Sequence, residues 1–193
     1  MYELLKKINM LKRTPRIGWL KSGINPNEAE DVAQHSFETA TITLLLGDSL
    51  DMGIDSEKAL KMAIIHDWAE SVTGDFSKDL TDQIGEEMKE EIEEKVLKNL
   101  LEEEDKIPKR KEYLNLWHEY SKEKTKEARL VKIADKLSIL IEANNLVKNG
   151  KSSRELKEIR KKTRDSLNPY VDDFPIFKDL LQNLDEDFSS TIG

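Results

Sequence analysis

Residues 56–74 read SEKALKMAIIHDWAESVTG. Apolar residues recur here at helical spacing, with Ala59, Leu60, Ala63 and Ile64 turned inward, Ser56 as N-cap and Gly74 as the stop. The run leads into His66 and Asp67, and Glu70 follows one turn later on the same face, roughly 6 Å along the axis. A carboxylate inside so apolar a run demands a partner, because burying an unpaired charge costs several kcal/mol. A divalent ion is one such partner. Adjacent His and Asp on a helix project about 100° apart, which suits two ligands converging on one ion. The dipeptide alone also occurs by chance in many proteins, so its neighbours have to decide its meaning.

The same helical period extends in both directions. Tyr2 to Leu11 reads as a short helix, and Pro15 and Gly18 mark an irregular segment running through Pro26. A helix from about Glu28 to Leu50 carries Val32, Ala33, Phe37, Ala40 and Leu44 on its buried side, and Gly53 breaks it. Glu86 to Glu104 is strongly charged, with Met88, Ile92, Val96 and Leu100 forming one narrow apolar stripe. Pro108 opens a helix through Tyr120, and another runs from about Lys124 to Asn149, stopped by Gly150. Helices from Ser152 to Leu167 and, after Pro175, from Ile176 to Leu184 complete the set. The fold class is all-α, a single-domain helical bundle over residues 1–193. Its motif-bearing core covers about 5–150, its C-terminal helices about 152–184, and its polar tail 185–193 is expected to fray.

Composition limits the chemistry. The chain has 193 residues, 37% hydrophobic and 36% charged, enough for one domain with a real core. A formal net charge of −8 argues against wrapping a nucleic-acid polymer, whose binding is driven by phosphate neutralisation. A small anionic substrate remains compatible, because Lys6, Lys7, Lys12, Arg13, Arg16 and Lys21 form a local basic run with no acid between Lys6 and Lys21. That run also reads as a solvated helix face and a basic loop. With no cysteine, any metal must sit among His, Asp and Glu. No stretch approaches the ~20 apolar residues of a membrane span, and the N-terminus has no signal-type apolar run, so no membrane partner and a cytoplasmic setting are expected.

Three further features accompany His66-Asp67. His35 lies in a separate helix as Glu30-Asp31-Val32-Ala33-Gln34-His35-Ser36, Gly74-Asp75 follows Glu70, and Ile133-Ala134-Asp135-Lys136-Leu137 places an acid in a late apolar stretch. Each alone also reads as a core histidine, a turn aspartate or an ion-pair partner. In this order, His, His-Asp and a distant Asp resemble the HD-domain superfamily of metal-dependent phosphohydrolases. Leu11-Lys12-Arg13-Thr14-Pro15-Arg16-Ile17-Gly18-Trp19, His66-Asp67-x-Ala69-Glu70 and Ala134-Asp135-Lys136-Leu137 look like its branch of 5′-deoxynucleotidases.

The resemblance implies roles residue by residue. His35, His66, Asp67 and Asp135 match four metal ligands, a set suited to Co²⁺, Mn²⁺, Zn²⁺ or Fe²⁺. Glu70 matches a residue that assists proton transfer, and Asp75 a position beside the sugar where it accepts the 3′-hydroxyl. Arg16 matches the phosphate-binding arginine, and Trp19 the aromatic that helps select deoxyribose. Trp19 reads equally as a core anchor for the N-terminal loop. Gln34 departs from the family, standing where many relatives carry an acid, which removes a charge near the site. His118, in a charged helix, reads as a surface residue.

The expected activity is hydrolysis of deoxyribonucleoside 5′-monophosphates to deoxynucleosides and phosphate. Hydrolysis of another nucleotide phosphoester (a triphosphate or a cyclic nucleotide) and a non-catalytic metal- or nucleotide-binding module are the alternatives. The Glu86–Glu104 stripe is free to pack on the domain or on a second copy, which makes a homodimer an open expectation.

Overall fold

The chain runs α1 (Tyr2–Ile8), a 3₁₀ turn at Asn9–Arg13, α2 (Ile17–Lys21), α3 (Val32–Ser49), α4 (Ser56–Ile65), α5 (Glu70–Thr73) and α6 (Lys78–Ile84). It continues through α7 (Glu86–Glu102), α8 (Arg110–Ser121), α9 (Lys126–Lys148), α10 (Arg154–Ser166), a 3₁₀ turn at Asn168–Tyr170 and α11 (Ile176–Ile192). This computed structural model describes residues 1–50, 53–102, 108–171, 174 and 176–192. Glu104, Pro175 and Gly193, which bounded three of the expected segments, lie outside the described residues. The fold is all-α: among the described residues there is no strand, only an isolated bridge between Pro15 and Asp31.

Helix α9 is buried around most of its circumference, which places it at the centre of the bundle. Leu130 and Val131 pack with Met62 and Ala63 of α4, Leu97 and Leu101 of α7, and Trp117 of α8. Ile133, Leu137 and Leu140 meet Leu167, Phe174, Phe177 and Leu181, and Ala143 and Leu146 meet Trp19, Ile24 and Leu156. Each fully buried Leu, Ile or Phe contributes roughly 1.5–3 kcal/mol, so three faces of one helix carry much of the folding free energy. Helix α3 lies along α9, and Gly47 lets the start of α4 come close: a Cβ there would stand 3.3 Å from Ser56 Oγ.

Several local expectations are corrected. On α3 the buried positions are Val32, His35, Thr39, Thr43 and Gly47, while Phe37 (75% exposed) and Leu44 face outward. On α4 they are Ala59, Met62, Ala63 and Ile65, and Ile64 is exposed. In both helices the inward face is the one that leads to a histidine. Asp55, not Ser56, caps α4 by accepting from the Lys58 N–H. The expected helix through Gly74 is interrupted after Ile65, where Trp68, Glu70 and Ser71 bond three residues back in tight turns. Helix α3 begins at Val32 because Asp31 and Gln34 form a capping box, with bonds of 2.8 and 2.9 Å. The amide oxygen of exposed Gln34 is therefore engaged at the helix start. Of the expected α7 stripe only Leu100 is fully buried; Ile92 and Val96 are half-buried, Met88 is exposed, and the other buried positions, Leu97 and Leu101, lie beside the stripe.

The C-terminal tail does not fray at Asp185; α11 continues to Ile192. Buried Arg160 donates to Asn144 Oδ1 (2.9 Å), Leu184 O (3.2 Å) and Asp185 Oδ1 (2.8 Å), and its guanidinium lies over the Phe188 ring. Arg164 donates to the second Asp185 oxygen at 2.8 Å. A polar stretch is thus helical because two arginines of α10 hold it. Arg160→Ala leaves Asn144 and Asp185 without that donor, and a stability loss of about 2–3 kcal/mol is expected. Urea unfolding of the variant measures it; a change below about 0.5 kcal/mol would mean that the arginine is not the clasp.

Candidate metal centre and phosphate site

Three elements converge on one point. Helix α3 supplies His35, the turn after α4 supplies His66 and Asp67, and α9 supplies Asp135. His35, His66 and Asp135 present ligand atoms within 4.8 Å of one another. Asp67 Oδ2 completes the set at 3.1 Å from His66 Nε2 and 3.8 Å from His35 Nε2, while Asp135 Oδ1 lies 3.1 Å from His35 Nε2.

The chemistry of these atoms fits a cation. His66 Nδ1 is 2.7 Å from the Ala63 carbonyl, which only accepts, so Nδ1 carries the proton of the neutral ring and Nε2 presents a lone pair. Both His66 Nε2 and the facing Asp67 Oδ2 are buried and lack a hydrogen-bond partner. Two lone-pair atoms at 3.1 Å repel unless a positive centre serves both. A proton answers the same demand: burial opposes the charge on His66, yet Asp67 holds the imidazolium above the ordinary histidine range. Burial pushes His35 the other way, toward the neutral ring that a metal ligand requires, and Arg16 adds to that. Burial opposes ionisation of Asp67 and Asp135 too, but the two histidines keep both carboxyls below their usual range. Two imidazoles and two carboxylates suit Zn²⁺, Mn²⁺, Fe²⁺ or Co²⁺.

Arg16 closes one side. Its Nη1 is 3.5 Å from Asp67 Oδ2 and 3.8 Å from Asp75 Oδ1. Gly74 makes this possible. Its φ of 74° ends α5 in a conformation that glycine adopts without strain, and Asp75 then reaches back to accept the Ile17 N–H at 2.6 Å. Burial disfavours the guanidinium charge, but Asp75, Asp67 and Asp135 together hold it firmly protonated. Of the basic run read from the sequence, Lys6 pairs with Glu3 and Lys21 with Asp79, whereas Arg16 enters the site.

Glu70 is buried, and its Oε2 has no hydrogen-bond partner. Burial, then the charge of Asp67, raises its pKa well above the usual carboxylate range and so favours its protonated form. Trp19 is not brought to the ligand cluster with an open face: it is 2% exposed among Ile24, Ala143 and Leu156, and its indole N–H donates to Glu30 at 3.1 Å. Burial pushes Glu30 up to about 7, against the Trp19 bond. His118 stands apart from the site, 3.5 Å from Glu94.

Sequence reasoning missed three neighbours. Tyr120 donates its hydroxyl to Asp135 Oδ2 at 3.3 Å and sets its ring edge against His66. Lys132 lies 3.8 Å over the Tyr120 ring, and Ser138 Oγ is 3.2 Å from His35 Nδ1. A signal for the last two was available, because Lys132 and Ser138 stand three residues either side of Asp135, on its helical face.

A sequence model of the HD domain matches residues 8–172. The chain belongs to the HD domain family. Among curated HD domain relatives, 5′-deoxynucleotidase HDDC2 of Danio rerio is 30% identical over 145 residues, 75% of this chain and 68% of its own. 5′-Deoxynucleotidase HDDC2 of Dictyostelium discoideum is 31% identical over 195 residues, 96% of each chain. Among solved structures, a conserved hypothetical protein from Pyrococcus furiosus superposes with a TM-score of 0.79 at 35% identity, covering 96% of this chain and 99% of its own. A Pyrococcus horikoshii protein gives 0.80 at 32% identity, covering 97% and 99%.

Proposed function

We propose that this HD domain protein is a metal-dependent phosphomonoesterase that converts deoxyribonucleoside 5′-monophosphates to deoxynucleosides and phosphate. The carrying observation is the buried convergence of His35, His66, Asp67 and Asp135 with Arg16 held at 3.5 Å from Asp67. The substrate class is supported by the curated 5′-deoxynucleotidases it resembles.

The four ligands would hold the ion, which when bound supplies a Lewis acid and an acidified water for attack on phosphorus. Arg16 binds two phosphoryl oxygens through its planar fork and keeps that geometry because Asp75 fixes the backbone beside it. As water adds to phosphorus and the P–O5′ bond breaks, protonated Glu70 delivers its proton to the departing O5′. Asp75 also accepts the 3′-hydroxyl in this reading. Trp19 acts on sugar selection by fixing α2 and the Arg16 segment, not by offering a ring face.

Chelation should abolish phosphate release, and re-addition of Co²⁺, Mn²⁺, Zn²⁺ or Fe²⁺ one at a time should restore it and identify the preferred ion. A panel of deoxy- and ribonucleoside monophosphates, deoxynucleoside triphosphates and cyclic dinucleotides then fixes the substrate. Release only from triphosphates or cyclic substrates would replace this reading with the corresponding phosphoesterase. Binding of dAMP with no release from any of them would replace it with a binding module. No described helix is long and apolar enough to cross a membrane. We further propose a cytoplasmic one-domain enzyme that pairs as a homodimer, a reading supported by the outward Phe37, Leu44 and Leu45 of α3.

A further inference from the structure

Helices α3 and α9 are tied by a second set of polar contacts one turn beyond the ligands. Glu38 follows His35 by three residues and Ser138 follows Asp135 by three, so each lies on its ligand's face. Ser138 Oγ donates to Glu38 Oε2 at 2.7 Å and stands 3.2 Å from His35 Nδ1. His35 and Ser138 are both fully buried.

A serine hydroxyl has one hydrogen and two lone pairs, and a carboxylate only accepts. The short bond to Glu38 therefore commits the Ser138 hydrogen, and toward His35 the oxygen has only a lone pair to offer. His35 Nδ1 must then carry the ring proton. Nε2 lies 3.1 Å from Asp135 Oδ1 and 3.8 Å from Asp67 Oδ2; without an ion the Asp135 carboxylate draws a proton onto Nε2, and a bound ion would take that proton's place. His66 reaches the same tautomer by a different route, through the Ala63 carbonyl. His35 has no such carbonyl; without Glu38, Ser138 would be free to turn its hydrogen onto Nδ1 and favour the tautomer that blocks Nε2.

We propose that Glu38, acting through Ser138, is a positioning residue that fixes the His35 tautomer and thereby sets metal affinity. This rests on the metal reading of the site. The charge of Glu38 is felt nearby: burial, then Glu38, pushes Glu142 up. Among the described residues the Ser138 hydroxyl bonds to Glu38 and His35 and not to Glu142, which makes Glu142 the control that separates a hydrogen-bonded relay from a general negative field.

The tautomer is read first, on metal-free protein, from imidazole ¹⁵N shifts of His35. Wild type should carry a proton on Nδ1, alone or together with one on Nε2 toward Asp135, and Glu38→Gln and Ser138→Ala should lose the Nδ1 proton in part or wholly. Co²⁺ affinity is read next by competition with a chelating dye. Both variants should bind about 10- to 100-fold more weakly, and Glu142→Gln should match wild type. A wild-type ring with no proton on Nδ1 would overturn the relay, as would unchanged ring protonation and affinity in Glu38→Gln. An equal loss in Glu142→Gln would overturn it in favour of the field. Failure of wild type to bind Co²⁺ despite an Nδ1–H tautomer would instead remove the metal reading, and with it the proposed role. Circular dichroism of each variant separates these outcomes from misfolding, and Glu38→Gln, nearly isosteric and on a half-buried side chain, is the variant expected to fold normally.

Discussion

Asp67→Ala is expected to lower phosphate release by about 10³-fold or more, the upper range for losing one electrostatic stabiliser, because the ion is lost with its ligand. Asp67 Oδ2 faces His66, His35 and Arg16 together, so the substitution removes the negative centre on which all three converge. Three positive or ion-seeking groups then repel one another in a confined space. The variant should bind no stoichiometric Co²⁺ and should still show the helical circular dichroism of the parent, since the helices are held by α9 and not by the site. The pH dependence has a definite sign. The partners keep the Asp67 carboxyl below its ordinary range, so its stabilising contribution is complete above about pH 4 and fades as acid protonates it. Chelated parent should therefore melt above chelated Asp67→Ala at pH 7, and the gap should narrow toward pH 2. Unchanged activity and Co²⁺ binding in the variant would sink the site as described.

Glu70→Gln separates catalysis from stability. Without a transferable proton at that position, kcat should fall by about 10²- to 10⁴-fold, with KM nearly unchanged. Stability should move the opposite way. Burial and Asp67 raise the Glu70 pKa, so the folded state keeps a proton that the unfolded chain releases above about pH 4.5. In that window the native state binds more protons than the unfolded one, and stability falls as pH rises. Glutamine removes this penalty. Chelated Glu70→Gln should melt higher than chelated parent at pH 8 and equal to it at pH 4. A variant that is less active and also less stable at pH 8 would show that Glu70 is ionised and paired, and so is not the proton donor.

The sequence displayed the site better than it displayed the surfaces that build it. His35, His66, Asp67 and Asp135 stood out as polar residues in apolar helical runs, and the structure brings all four together. The helix faces were harder to read for the same reason. Aligning α3 on Phe37 and Leu44 turned the helix so that His35 lay off the core face, while the true face contains His35, Thr39 and Thr43. On α4, Ile64 was given the place that Met62 and Ile65 hold beside His66. Apolar periodicity misleads where the interior is itself polar, as it is around a ligand cluster. Trp19 was ambiguous because an aromatic near a basic loop suits both a sugar and a core; its burial came from α9 and α10, far away in the chain. The Asp185 segment was unreadable for a similar reason, as its helicity depends on Arg160 and Arg164. Ser138 and Glu38 had only their three-residue spacing from Asp135 and His35 to mark them and Tyr120 had no such signal, so it is the pairing of helices that gives all three meaning.

The clasp between Asp75 and the Ile17 N–H joins the arginine segment to the turn that follows the His66-Asp67 pair. The ligands on α3 and α9 belong to the most deeply packed elements, whose opening amounts to global unfolding. Arg16, at the head of the five-residue α2, is held by that one short hydrogen bond, its ion pairs and a two-residue bridge. Trp19, three residues on and 2% exposed against α9 and α10, ties that segment to the core as well. The arginine and the ligand candidates therefore rest on one packed interior, so the grip on an anion is set in place by folding and not assembled when the anion arrives.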